Sequence, residues 1–218
     1  MVLVHGGAFQ EGDRTTMSGI CGDLADAGYA AFSVDYRLVP AVYPAQQEDV
    51  AAAVAWLREP AQQEKFNLND SVSLLGSSAG AIIVMTTAAS LSTAGAPVDA
   101  VVGLSTAGVL TEDARELGAP PPELELVVQG YLGCEKLTDC PTAVEASPVT
   151  VAAALPPTLL IHGSEELIPL AQADALVTAL DAAGVTNDLI VVDGANHGLR
   201  LLNSTTRPEI FDFLAAAP

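Results

Sequence analysis

Ser78 is the residue of this chain best placed to act as a nucleophile. It stands at the centre of Gly76-Ser77-Ser78-Ala79-Gly80, after the apolar run Val72-Ser73-Leu74-Leu75 and before the apolar run Ala81 to Ser90. A strand, a sharp Gly-x-Ser-x-Gly turn and a helix form a nucleophile elbow. Its glycines make room for a strained backbone, and the serine Oγ is pushed out at the top of a sheet beside a helix N-terminus. A serine hydroxyl is weakly nucleophilic until a base takes its proton during the attack. His197 is the candidate base. It lies in Gly194-Ala195-Asn196-His197-Gly198, beyond the strand-like run Leu189-Ile190-Val191-Val192, on a loop whose glycines let the ring swing over the serine. A carboxylate must then fix the tautomer of the ring and stabilise the imidazolium. Glu165, Glu166 and Asp193 are the acidic candidates between serine and histidine. The chemistry of such a set is acyl transfer through a covalent serine intermediate.

Short apolar runs alternate with helix-like segments, as needed to bring these residues together. Strands are expected at Val2–Val4, Ala30–Val34, Val72–Leu75, Ala100–Leu104, Thr158–Ile161 and Leu189–Val192. Helices are expected at Thr16–Ala27, Ala45–Arg58, Gly80–Ser92 and Leu170–Ala183. Continuous apolar strands are those covered on both faces, and this alternation predicts a mostly parallel, doubly wound α/β sheet of about six strands. Gly28 and Gly184 follow helical runs and read as C-cap glycines. The whole chain, 1–218, reads as a single domain. The stretch 111–154 breaks the rhythm with Pro120-Pro121-Pro122, two cysteines and further prolines. It is expected to be an irregular, lid-like insertion over the C-terminal ends of the strands, where open α/β sheets bind ligands.

Composition narrows the partners. Half of the 218 residues are apolar, enough for a sizeable core, and no apolar run has the length of a membrane span. With 27 Asp and Glu against 8 Lys and Arg, the formal net charge is −19, which repels nucleic acid and anionic lipid. The expected partner is a small-molecule substrate. No cofactor is called for, and no Cys/His cluster has zinc spacing. The start of the chain lacks the basic region of a signal peptide. Localisation stays open between cytoplasmic and secreted. Cys134 and Cys140 lie close enough in sequence to bridge in an oxidising compartment, and Cys21 is read as a buried thiol. Trp56 is placed on a core face with Val50, Ala53 and Leu57, and His162 is read as structural.

Taken together, the motifs resemble the α/β-hydrolase superfamily, and within it the hormone-sensitive-lipase-like carboxylesterases. They include His5-Gly6-Gly7-Ala8-Phe9, Val34-Asp35-Tyr36-Arg37-Leu38, Tyr43-Pro44-Ala45, Glu48-Asp49-Val50, the elbow at Ser78, Pro156-Pro157-Thr158-Leu159-Leu160-Ile161-His162-Gly163-Ser164, and the loop at His197. The order serine, acid, histidine is also the order of that superfamily. The resemblance implies a serine carboxylesterase acting on short acyl or aryl esters, with catalytic Ser78, His197 and Glu166. Glu166 aligns with the family's acid, Glu165 is the next choice, and Asp193 is third. It implies an oxyanion hole from the N–H groups of Gly7, Ala8 and Ala79, with His5 orienting that loop. Phe9 and Tyr131 are the candidate substrate-binding residues.

Three departures are visible. The sequence starts one strand before His5, where the family usually has two or more strands and often a helical cap, so it is expected to be either a shortened piece or a minimal form lacking the usual first strands and large cap. Ala8 and Ser77 stand where the family commonly has glycine and an acidic residue. The acid loop Ser164-Glu165-Glu166-Leu167-Ile168-Pro169 lacks an Asp and is one residue short. Two other readings stay open: an amide or formamide hydrolase or peptidase of the same fold, and a non-catalytic binding scaffold. Without the first strands, Ala30–Val34 should be an edge. Its expected protection is by another copy in a homodimer or by a rearranged segment.

Overall fold

Val2–Val4 (β1) sits deep in a sheet with both neighbours parallel to it, Phe32–Val34 (β2) on one side and Ser73–Ser77 (β3) on the other. The computed structural model describes residues 1–118 and 120–217. Ala100–Leu104 (β4), Thr158–Gly163 (β5) and Asn187–Val192 (β6) complete a six-stranded parallel sheet in the order β2-β1-β3-β4-β5-β6. The strands between the edges are buried almost throughout, so their apolar runs are continuous rather than alternating.

Helices cover both faces. On one face lie Ser18–Asp26 (α1) and, from the end of the chain, a helix over Thr206–Ala216. They pack Ile20, Leu24, Ile210 and Leu214 against Leu3, Leu75, Val102 and Ile161. The other face is covered by Ala45–Leu57 (α2), with Pro60–Phe66 (α3) following it, and by Ala79–Thr93 (α4). Residues 79–89 of α4 are buried all round, which is why that helix is almost uniformly apolar.

The stretch 111–154 differs from the irregular insertion expected. It holds Pro122–Leu132 (α5) and Pro141–Glu145 (α6), with 3-10 turns at Glu112–Glu116, Leu137–Asp139 and Pro148–Ala154. Pro122, Pro141 and Pro148 start helical segments rather than break them, because the first helical position needs no N–H donor. Cys134 and Cys140 are disulfide-bonded behind α5. Leu170–Ala183 (α7) then joins β5 to β6, and Thr206–Ala216 is α8.

Edge strand β2 keeps only three residues, and no rearranged strand pairs with it among the described residues. The turn Arg14–Met17 lies beside it, with the Ser33 hydroxyl donating to the carbonyl of Arg14 at 2.7 Å. Trp56 is 42% exposed and packs on Phe66, off the core face formed by Val50, Val54 and Leu57. Cys21 is half-buried rather than enclosed. No described helix is long and apolar enough to cross a membrane.

Candidate active site

Ser78 occupies a backbone position that few side chains adopt. Its φ of 55° and ψ of −118° join the end of β3 to the start of α4. Non-glycine residues in such regions cost on the order of 1–3 kcal/mol, and the surroundings must over-determine them. Here they do. A Cβ on Gly76 would lie 2.2 Å from the carbonyl oxygen of Gly80, and one on Gly80 would lie 2.2 Å from that of Val4. The Ser78 N–H donates to the carbonyl of Leu104 at 2.8 Å, locking the turn to β4.

Three chain segments meet over this turn. The Ser78 hydroxyl lies 2.8 Å from Nε2 of His197, and Nδ1 of His197 is hydrogen-bonded to Oε2 of Glu166. With Nδ1–H donating to the carboxylate, the neutral ring leaves Nε2 free to accept the serine proton. The Glu166 side chain is fully buried. Its other oxygen, Oε1, accepts from the Gly163 N–H and the Ser105 hydroxyl, each at 2.8 Å. Burial alone would raise this carboxyl. The hydrogen bonds from His197, Gly163 and Ser105, with His162 nearby, outweigh it and hold the group below its ordinary value. Glu165 and Asp193, the other acidic candidates, are exposed.

The loop after β1 supplies the fourth wall. The His5 ring stacks on Tyr36 with centroids 4.3 Å apart, and the Tyr36 hydroxyl donates to the His5 carbonyl at 3.1 Å. Gly7 has a φ of 120°, and its carbonyl accepts from the N–H groups of Gln10 and Glu11. A Cβ on Gly7 would lie 2.0 Å from the Glu11 carbonyl oxygen, so only glycine makes this turn. The N–H groups of Gly7 and Ala8 have no acceptor among the described residues. Ala79 is the first residue of α4, where an N–H has no intrahelical partner.

A family model described as alpha/beta hydrolase fold matches residues 1–201. The chain belongs to this family.

Other comparisons agree with this α/β-hydrolase assignment. The chain is 34% identical to esterase LipI of Mycobacterium tuberculosis over 129 residues, which is 58% of this chain and 33% of LipI. It is 26% identical to esterase LipQ of the same organism over 222 residues, 92% of this chain and 50% of LipQ. The chain thus spans half or less of the length of these curated relatives. A hormone-sensitive lipase from a metagenome library superposes with a TM-score of 0.79 at 26% identity, covering 100% of this chain and 77% of that one. A hyperthermophilic esterase from the archaeon Pyrobaculum calidifontis gives a TM-score of 0.80 at 24% identity, over 99% and 74% of the two chains, and supports the fold.

In this α/β-hydrolase a cavity of about 120 Å³ opens beside Ser78. Phe9, Ile82, Leu110, Val128 and Ile168 are among its apolar walls, and Arg115 and Glu125 lie at it as a hydrogen-bonded ion pair. Phe9 therefore lines the cavity. Tyr131 does not: it is fully buried, stacked behind Phe9 with ring centroids 3.8 Å apart. His162 is buried and hydrogen-bonds through Nε2 to the carbonyl of Ile168 at 2.8 Å, holding the acid loop. Arg37 ties the loop after β2 to Asp49, Glu48 and the Ala45 carbonyl. Sequence reasoning missed Ser105, which touches Glu166, because nothing local distinguishes one small polar residue at the end of a strand. Among the described residues no His, Cys, Asp or Glu cluster is placed to hold a metal.

Proposed function

We propose that the chain is a serine carboxylesterase of the hormone-sensitive-lipase-like kind, with Ser78 as nucleophile, His197 as general base and acid, and Glu166 as the orienting carboxylate. The observation that carries this reading is the 2.8 Å approach of His197 Nε2 to Ser78 Oγ on a strained elbow. As Ser78 Oγ attacks the ester carbonyl carbon, its proton passes to Nε2 and the carbonyl oxygen gains negative charge. The N–H groups of Gly7, Ala8 and Ala79 would receive that oxyanion. Such preorganised donors are worth about 3–4 kcal/mol each to the transition state. Collapse breaks the ester C–O bond, and the proton on Nε2 goes to the leaving alcohol. Water then attacks the acyl-Ser78 by the same route in reverse roles, giving the acid and free serine.

The cavity size and its apolar walls favour short acyl or aryl groups over long chains. The esterase names of the curated relatives support ester hydrolysis as the reaction. The test is hydrolysis of p-nitrophenyl acetate and butyrate by the wild-type protein and by Ser78→Ala, alongside the matching anilides. Ester turnover that depends on Ser78 supports the reading. Equal rates for the two proteins remove it, and faster anilide cleavage replaces it with the amide hydrolase.

A further inference from the structure

Ser105 joins the two loops that carry the partners of Ser78. It is the first residue after β4 and is fully buried. Its hydroxyl donates to Oε1 of Glu166 at 2.8 Å and accepts from the Gly198 N–H at 2.7 Å. Glu166 lies on the loop after β5, and Gly198 directly follows His197 on the loop after β6. The direction of these bonds is forced. The Gly198 N–H can only donate, so it takes a lone pair of the hydroxyl, and the single hydroxyl proton is left for the carboxylate.

The backbone around Ser105 is equally particular. Its φ is 56°, in the left-handed region, and its N–H donates to the carbonyl of Ile161 in β5 at 2.9 Å. Glycine would adopt this conformation without penalty. A side chain kept in such a position calls for a role of the side chain itself. The role available is geometric. With two donors on Oε1, from Ser105 and Gly163, the carboxylate cannot rotate without losing both, and Oε2 stays directed at His197 Nδ1.

We infer that Ser105 is a positioning residue for the proposed ester hydrolysis: its hydroxyl clamps the Glu166 carboxylate and the backbone next to His197 in one register, so that Nε2 meets Ser78 Oγ. The inference rests on the reading of Ser78, His197 and Glu166 given above. It separates from a packing role because Ser105→Gly removes the hydroxyl while suiting the backbone. With p-nitrophenyl acetate, Ser105→Gly is expected to lose about 10²-fold in kcat, the scale of an ångström's misplacement of a reacting group, with KM within about twofold. Labelling of Ser78 by a fluorophosphonate should slow in parallel. The low-field proton resonance of the His197–Glu166 hydrogen bond should broaden or move upfield.

Ser105→Cys keeps the volume with a weaker donor, and its kcat should fall between the two. A folded Ser105→Gly protein with wild-type kcat and labelling rate overturns the inference while leaving the esterase reading in place. If Ser105→Gly does not fold, Ser105→Cys decides alone, and wild-type kcat there overturns it. A wild-type protein that neither hydrolyses the ester nor labels overturns both the inference and the reading beneath it.

Discussion

Ser78 Oγ and His197 Nε2 lie 2.8 Å apart although they stand 119 positions apart in the chain. The contact forms because parallel crossovers bring the ends of β3 and β6 to the same edge of one sheet, the edge at which such sheets bind ligands. If this contact activates the serine, Ser78→Ala should lower kcat for p-nitrophenyl butyrate by about 10⁶-fold, the scale seen when a triad nucleophile is removed. Steady-state hydrolysis at matched protein concentration measures it.

Glu166 and Glu165 are adjacent, but the first is buried against His197 and the second is exposed. Glu166→Gln keeps the shape of the side chain while removing the charge that favours the right tautomer. A loss of about 10³- to 10⁴-fold in kcat is expected. Glu165→Gln should stay within about twofold of wild type, because a solvated charge contributes little at that distance. Reversed outcomes for the two variants would reassign the acid.

The folded state also holds Glu166 below its ordinary pKa. A carboxyl lowered on folding stabilises the native state above its unfolded pKa, and that contribution is lost as pH falls through the lowered, folded value. Thermal midpoints of wild type should therefore drop more steeply than those of Glu166→Gln as pH is taken from about 5 to 3. The variant serves as the reference because both proteins lose the same repulsion among their other carboxylates. Parallel curves would contradict the linkage.

Gly76 and Gly80 are packed against backbone on both sides of the elbow. Alanine at either position must displace main chain rather than a flexible side chain. The expected cost is about 2–3 kcal/mol in stability for Gly80→Ala, the upper range for overpacking a core. Urea denaturation measures it. A midpoint equal to wild type would mean that the helix can shift without cost.

Val128 stands in the apolar wall of the cavity beside Ser78. Val128→Ala should raise kcat/KM for p-nitrophenyl hexanoate relative to acetate by about 10-fold, the low end of what one extra methylene accommodated in an apolar pocket is worth. An unchanged ratio would place the acyl chain elsewhere.

The local part of this protein was legible in its residues. The elbow, the glycine turn after β1 and the six strands could be read because each depends on near neighbours: small residues where backbone crowds backbone, and continuous apolar runs where helices cover both faces. The helices of 111–154 were hidden because proline is ambiguous in sequence, a breaker inside a helix and a starter at its first position. Tyr131 shows the same limit, since an aromatic side chain fits equally well on a cavity wall or behind one. Which glutamate meets His197, and that Ser105 meets both loops, only the tertiary structure decided. Those contacts cross between strands that are neighbours in space and distant in sequence, and one residue of register separates a buried, hydrogen-bonded carboxylate from a solvated one.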